Sequence, residues 1–548
     1  MSPRARQSLN MSTRFILLLV IIHGLFVLPL FRPGLPRNHD AELHTARFAA
    51  YYKSFAAGNI PPRWAGDLNY GYGTPLFIFY SPLPGYLGSF VHSVGMNFES
   101  SYKLVIALAF IAAPITFYFF MVSLFPPWTS FLASVAYGLA PYHFLDLYVR
   151  GAVAELLALA VAPLFLLSVE KLHKKLSVRT VLMGGIVYGL LILSQNIMAV
   201  MFTVVGLLYG FIRFFQKRSA LFYVFGMLLL GLGLSAFYWI PAVFEQQFTH
   251  STLFIGTKYL DHYPTITQLI RSPWGFGPDV GKPGGLSPRI GILHIILTAV
   301  AVVLMRKTGK NDRWFTYWAI AVFVLSVFLA LRISSFVWMN VSVLQKFEFP
   351  WRFIAVASFA TAVLSAVVFE KIKQRFLHIL FLFVILLSSL SYVSVPPFLS
   401  RADAYYASYG PSTDFGAATP VWTAGDPATY PQKPVSVIAG SGTVTDIERA
   451  YIRHAFVVTN QTDVTILDNT LYFPGWQVRV DGQKVPIQFQ DPNHRGLLTF
   501  SVPKGRHRVD ISFHDSPLRS LANAVSIGTL LFLLLAILRI RNHSYTRS

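Results

Sequence analysis

The 548-residue sequence contains no cysteine. That excludes disulfides, a thiolate nucleophile and cysteine-ligated metal, and it leaves the redox compartment unreadable. Charge is scarce too: 13% of residues are charged, against roughly a quarter in soluble chains. Acids are the scarcer sign, with 24 Asp and Glu against 45 Lys and Arg. Charges are almost absent from the middle of the apolar runs, which argues against a proton-coupled pump. Nor is there an internal repeat of the kind that builds the inverted halves of secondary transporters.

What the chain has in abundance is apolar residues, 54% of the total, and aromatics, 15%. They cluster in long runs with rings near the run ends, where membrane proteins place interface anchors. The first run is Phe15 to Leu30, preceded by Arg4, Arg6 and Arg14. No small-residue cleavage site follows it, so it reads as a retained helix with a cytoplasmic N-terminus. Further spans are expected at 102–124, 128–145, 153–169, 180–195, 197–212, 219–241, 289–305, 314–331, 352–369, 376–394 and 519–538. The expected fold class is a polytopic α-helical membrane protein of about twelve spans with one small β-rich domain.

The placement of positive charge tests that topology. With alternation from a cytoplasmic start, the basic clusters at 171–179, 213–218, 306–313, 371–375 and 539–547 join the N-terminal arginines on one side. Only Glu170, Asp312 and Glu370 oppose them there, so most of the formal net charge of +21 is cytoplasmic, as the positive-inside rule requires. Bases confined to short tracts between apolar runs also exclude nucleic acid as a partner. The plasma (inner) membrane is the expected location, with both termini cytoplasmic. Four longer segments fall outside: 31–101, 242–288, 332–350 and 395–518.

The last of these has another composition. Ala455–Val458, Trp476–Val480 and Arg508–Phe513 alternate in polarity, and the turn signals Asp481-Gly482 and Pro503-Lys504-Gly505 suit hairpins between such runs. A small antiparallel β-sandwich over 395–518 is expected, after a Pro-, Gly- and Ala-rich stretch at 409–432. The organisation is then a transmembrane domain at 1–394, the β-rich domain, and a final helix and tail at 519–548.

Chemistry-bearing residues gather in the outer segments. Asn38-His39-Asp40-Ala41-Glu42-Leu43-His44 follows the first helix within ten residues. If 40–57 is helical, Asp40 and His44 share a face with Arg47 nearby. A carboxylate there suits a general base toward an acceptor hydroxyl, or a ligand to a divalent cation; Asp40 equally suits a helix N-cap. The loop continues with Pro61-Pro62-Arg63-Trp64 and Tyr70-Gly71-Tyr72-Gly73-Thr74-Pro75, rings that stack on sugars or form an interfacial belt. Arg150 and Glu155 flank the start of the fourth helix, either as a lipid-phosphate grip or as a structural ion pair. Phe347-Glu348-Phe349-Pro350-Trp351-Arg352 opens the tenth helix, where Arg352 suits a bidentate phosphate contact or simple snorkelling. Lys258, His262, Arg271 and Trp274 are candidates for the same outer cavity.

Taken in order, the acidic turn, the Pro-Pro-Arg-Trp and Gly-Tyr-Gly-x-Pro loop, Arg150/Glu155 and Glu348-Phe-Pro-Trp-Arg resemble GT-C-type membrane proteins. The chain is similar to the YfhO-like group and to the membrane family named 6-pyruvoyl-tetrahydropterin synthase-related. Tyr472-Phe-Pro-Gly-Trp476, Val480-Asp-Gly482 and Pro503-Lys-Gly-Arg-His507 resemble the C-terminal β-domain of that group. The resemblance implies a glycosyltransferase that takes sugar from a polyprenyl-phosphate-linked donor, with the first-loop acid as base. Glycan, lipid or protein would be the acceptor and the bilayer the other partner. Many such enzymes carry adjacent acids or Asp-x-Asp where this chain has Asp40-Ala-Glu42, which leaves open which carboxylate acts and whether a metal is used. No multi-histidine zinc set matches a soluble pterin synthase, so that activity is not carried over. The expected assignments are Asp40, Glu42 and His44 for catalysis, with Asp40 and Glu42 holding any cation. Arg150, Arg352 and Glu155 are expected at the donor phosphate, and Trp64, Trp351 and Glu348 at the sugar or acceptor. A lipid-linked-sugar flippase and a non-catalytic polysaccharide assembly protein are the alternatives.

Overall fold

A computed structural model describes residues 3–215, 217–251, 258–280, 282–305 and 310–545. Arg306, Lys307 and Arg547 of the basic clusters lie outside the described residues. Every expected apolar run falls on helix. Seven helices are long and apolar enough to cross a bilayer among the described residues, or eight if Leu221–Leu234 and Ala236–Phe244, bent by 76°, count as one span. Val178–Ser194, Ile292–Leu304 and Arg375–Leu390 are apolar but shorter. Twelve crossings therefore do not follow from helix length alone. The 128–145 run is not one helix. It breaks into Pro127–Gly138, a turn at Pro141–Phe144 and a π-helical turn at Leu145–Arg150, because Pro141 has no N–H to continue the ladder.

The centre of the bundle is Phe353–Lys371, whose side chains are buried nearly all round. Ala355, Ala357, Ala360, Ala362 and Ala366 keep its profile thin, so neighbouring helices approach closely and gain dispersion contacts. At the basic end of the bundle, Glu170 is fully buried and receives Arg213 Nη2 at 2.7 Å and the Tyr209 hydroxyl at 2.6 Å. One of the three acids that break the positive pattern is thus absorbed by one of its own bases.

Segment 31–101 is structured, with helices Ala41–Ala56 and Pro82–Ser93. Its strand β1 (Leu35–Pro36) pairs with β2 (Phe398–Leu399). The eight strands β3 (Val435–Ala439), β4 (Gly442–Ala450), β5 (Arg453–Asn460), β6 (Val464–Leu471), β7 (Trp476–Val480), β8 (Gln483–Val485), β9 (Leu497–Val502) and β10 (Gly505–Phe513) form two antiparallel sheets, ordered β4-β5-β10-β7-β8 and β3-β6-β9. Phe456, Val478, Val509 and Ile511 of one sheet share a core with Val435, Ile466, Leu498 and Phe500 of the other. This is the expected sandwich, with inward residues alternating along each strand.

The Asp481-Gly482 turn joins β7 to β8 with φ of 46° and 83° at its two residues, both positive as a type I′ hairpin requires. Pro503-Lys504-Gly505 is not a hairpin: β9 pairs with β6 and β10 with β5 and β7, and among the described residues the two do not pair with each other. The chain crosses between sheets there, where Asp463 accepts the Lys504 N–H at 2.9 Å. The sheet domain rests on the bundle through Arg519, fully buried, which pairs with Glu245 at 2.8 Å and donates to the Pro474 carbonyl at 2.6 Å.

Candidate functional site

A cavity of about 590 Å³ lies where the Ala41–Ala56 helix meets the bundle. Asp40, His44, Arg150, Glu155, Glu348 and Arg352 all line it. They come from three segments far apart in the chain, and two backbone contacts join the first of these to the second. His39 N–H donates to the Val149 carbonyl at 3.0 Å, and Asp40 N–H to the Arg150 carbonyl at 2.9 Å. The acidic turn is thereby pinned to the π-helical turn that carries Arg150, a kind of helix irregularity that concentrates at functional sites.

Asp40 occupies the N-cap position but its side chain does not cap the helix. Asn38 Oδ1 accepts the Ala41 N–H at 2.9 Å instead. The Asp40 carboxylate, half-buried, accepts no hydrogen bond and makes no ion pair among the described residues, and it faces the cavity. His44 is buried one helical turn on, its ring nearly parallel to Tyr102 at 6.3 Å between centroids. Burial, and after it the charges of Arg47 and Arg150, hold His44 well below the ordinary imidazole range. The ring is therefore neutral near pH 7 and supplies Asp40 no counter-charge. Arg47 is already engaged: it donates to the Thr413 carbonyl and hydroxyl and lies 3.9 Å over the Tyr80 ring.

Glu42 does not join Asp40. Two residues along a helix are about 200° apart, and Glu42 accepts the Tyr405 hydroxyl on another face. The two carboxylates thus do not converge as a shared cation pair. Among the described residues no group of three or more His, Asp or Glu side chains is arranged to hold a metal ion.

Arg150 and Glu155 form an ion pair at 2.8 Å, and a third member, Asp146, fully buried, accepts from Arg150 at 2.5 Å. Tyr142 donates to the other oxygen of Glu155. With two carboxylates on one guanidinium, Arg150 has little charge left for a ligand. Arg352 is different. It donates to the Phe347 carbonyl at 2.6 Å and stands 3.5 Å from Glu348 and 3.9 Å from Glu155. Its Nε–H is buried and has no hydrogen-bond acceptor among the described residues. A buried, unmade hydrogen bond costs roughly 1–3 kcal/mol, so among the arginines that line the cavity Arg352 has most to gain from an anionic ligand.

Trp64 and Trp351 are not in the cavity wall. Trp64 is buried against Trp476 and Phe513 of the sheet domain, with ring centroids 5.2 Å away in each case. Trp351 lies behind Arg150, whose guanidinium sits 4.7 Å over the ring. Both are large rings used as core by chain segments that the sequence leaves unconnected. Lys258, His262, Arg271 and Trp274 stay outside as well; His262 packs edge-on to Phe349 and Trp274 against Tyr392. Sequence reasoning missed Asp146, Tyr142 and Lys346. Asp146 had a readable signal: an acid beside an apolar run, four residues before Arg150.

Much of the remaining wall is apolar, interrupted by Ser81, Gln195, Asn196, Gln246 and Lys346. Ile192, Val200, Leu232 and Val243 belong to helices of the bundle, and Val200 and Val243 are about half exposed on the surface. The cavity therefore combines buried charged groups with apolar surface that reaches the outside.

A sequence model described as "6-pyruvoyl-tetrahydropterin synthase related domain; membrane protein" matches residues 77–396. No curated protein matches the chain. Among solved structures, an arabinofuranosyltransferase from Mycobacteria is 15% identical, covering 69% of this chain and 27% of that one, with a TM-score of 0.43. An oligosaccharyltransferase from Archaeoglobus fulgidus is 14% identical, covering 73% of this chain and 54% of that one, with a TM-score of 0.37. The chain thus spans about a quarter of the first structure and about half of the second. The family match runs over more than half of the sequence, from the first loop through the apolar helices to the start of the β-rich region, and the chain belongs to the 6-pyruvoyl-tetrahydropterin synthase related family of membrane proteins.

Proposed function

We propose that this protein is an integral membrane glycosyltransferase that moves a sugar from a polyprenyl-phosphate-linked donor to an acceptor hydroxyl on the outer face. The carrying observation is the cavity itself: one free carboxylate, Asp40, and one under-used buried guanidinium, Arg352, in a wall that also holds much apolar surface. A lipid phosphate bearing a sugar has matching parts, with chain, phosphate and sugar in series. The apolar wall would take the first isoprene units, Arg352 the phosphate, and Asp40 the acceptor proton.

In the reaction the acceptor oxygen bonds to the anomeric carbon while the bond from that carbon to the phosphate oxygen breaks. The acceptor proton goes to Asp40 and the polyprenyl phosphate departs with the electron pair. A single unpaired carboxylate, with Glu155 and Glu348 both beside arginines, favours direct displacement with inversion, since a covalent intermediate needs a nucleophile as well as an acid–base group. On this reading Arg150, already neutralised, orients Glu155 and Arg352 rather than gripping the donor, and a divalent cation is not required of Asp40 and Glu42. Glycan, lipid and protein acceptors all fit the chemistry.

The test is transfer of radiolabelled sugar from a polyprenyl phosphate by purified protein in nanodiscs, compared with the Asp40→Asn variant. Sugar-dependent product in the wild type and its loss in the variant support the reading. Movement of labelled donor across the bilayer without transfer would establish the flippase alternative instead.

A further inference from the structure

A second cavity, of about 510 Å³, opens between the first loop and the sheet domain. It shares no lining residue with the Asp40 cavity. The two sit at opposite ends of the Ala41–Ala56 helix: Lys53 lines one and Asp40 the other, about 20 Å apart along the helix axis.

The rim of this cleft is aromatic. Tyr430 is 57% exposed, and its ring covers Gly71 and meets Tyr70 edge-on at 5.4 Å. Tyr72 and Tyr451 continue the lining, with the buried Trp64 behind them. Asn69 and Tyr70 both have φ of 54°. For a bulky residue such as tyrosine that left-handed backbone is costly, and strain of this kind gathers at functional sites. It is held here by the Tyr70 N–H, which donates to the Gly410 carbonyl at 2.6 Å.

The polar groups of the cleft are fixed before any ligand arrives. Arg449 donates to the Gly71 and Asn469 carbonyls at 3.0 Å and to the Thr470 hydroxyl at 2.9 Å. His454 is set by Asp468, which lies 2.9 Å from its Nδ1 and is itself held by Thr470 at 2.5 Å. Lys53 is paired with Asp67. Preset polar groups lower the ordering cost of binding.

We infer that this cleft is a binding site for a neutral oligosaccharide. Sugar rings pack their C–H faces on flat aromatic rings, and their hydroxyls both donate and accept, which matches a lining of rings interleaved with fixed donors and acceptors. Neutrality follows from the balance of charge: Lys53 pairs with Asp67, and Arg449, whose donors are used on carbonyls and a hydroxyl, is offset by the buried Asp468 beside His454, which leaves little net charge to demand an anionic group. A peptide strand is disfavoured, because the adjoining edge strand β4 is interrupted by a bulge between Thr445 and Glu448, which spoils the ladder a peptide would extend. Binding here does not require transfer at Asp40, and the two fail separately.

The experiment is capture of the full chain, in nanodiscs free of sugar detergents, on a printed array of neutral and acidic oligosaccharides with proline-rich peptides spotted beside them. The expected result is retention on neutral glycans, with Tyr430→Ala and His454→Gln each weakening it by about tenfold, the equivalent of one good ring contact. Tyr430 is at the surface, and an unchanged melting temperature shows that its variant is folded. Asp40→Asn protein should be captured as the wild type is. No capture of any glycan, equal capture by both cleft variants, retention on peptides in place of glycans, or loss of capture in Asp40→Asn would each overturn the assignment.

Discussion

Asp40 and Arg352 are distinguished by what they lack from the other acids and arginines of the cavity, while Lys346, also without a partner among the described residues, is exposed. Arg47, Arg150 and Glu155 have their partners within the protein, whereas Asp40 has none among the described residues and Arg352 keeps a buried Nε–H unmet. Different kinetic signatures follow. Asp40→Asn keeps the size and removes the charge, so kcat for sugar transfer should fall on the order of a hundredfold or more, and excess donor should not restore it. Arg352→Ala should raise the KM for donor with a smaller change in kcat, and excess donor should partly restore the rate. Wild-type transfer by Asp40→Asn would return Asp40 to a merely local role and direct attention to Glu42. The ion-paired residues should act on stability instead. Asp146→Ala leaves Arg150 with one counter-charge in a buried setting, and breaking such a pair costs roughly 3–5 kcal/mol; a matching drop in melting temperature of the nanodisc-embedded protein checks this. His44, held neutral by burial and by its arginine neighbours, should behave as a pH-insensitive group near neutrality. Because its folded pKa lies below the unfolded value of 6.5, its contribution to stability weakens as pH falls below that value, and His44→Gln should remove this dependence.

The β7–β8 hairpin shows how one element is tuned by a contact outside it. Asp481, in the turn, accepts from His507 of β10 at 2.7 Å and from the Arg508 N–H at 2.8 Å. The hydrogen bond to Asp481 raises His507 above 6.5, and the same bond lowers Asp481 below 3.8. The histidine contribution is complete below 6.5 and is lost as pH rises through the raised value; the aspartate contribution is complete above 3.8 and is lost on acidification through the lowered one. Hydrogen exchange of residues 478–485, corrected for intrinsic rate, should therefore be slowest in the mildly acidic window and accelerate toward alkaline pH. His507→Asn should flatten that rise, and an unchanged profile would show that the turn is held by its backbone alone. Within the same domain, the alternating runs at 455–458, 476–480 and 508–513 are strands as their period predicts. Sheet membership was not readable, because a period of two marks a strand and its buried face but not its neighbour. That is why the Pro503-Lys504-Gly505 turn reads as a hairpin yet links two sheets.

At the scale of the whole molecule, the first loop and the 395–513 region pack on one another through β1–β2, through Arg37 and Pro397, and through Lys53 and Ala407. Both must then lie on one side of the membrane, as the distribution of basic clusters requires independently. The absence of cysteine makes single-cysteine labelling a clean check. Ser93→Cys and Ser441→Cys should react with an impermeant maleimide added to whole cells, and Ser177→Cys only after lysis. Labelling of 177 and 441 from the same side would be incompatible with the twelve-span topology.

The sequence by itself determined the membrane class, the positions of the apolar helices, the β-rich domain and the Asp481-Gly482 turn. Each depends on local composition or on a short period, and burial in lipid or in a sheet enforces those patterns residue by residue. It also located six of the residues that line the cavity, because ionisable groups at the ends of apolar runs are few and conspicuous. Only the tertiary structure decided which of them are free. Asn38 rather than Asp40 caps the helix, Asp146 and Glu155 together neutralise Arg150, Glu42 turns to Tyr405, and Trp64 is spent in the core beneath the sheet domain. Whether a charge is available depends on partners distant in the chain, and those partners are fixed by packing, which no spacing along the sequence encodes.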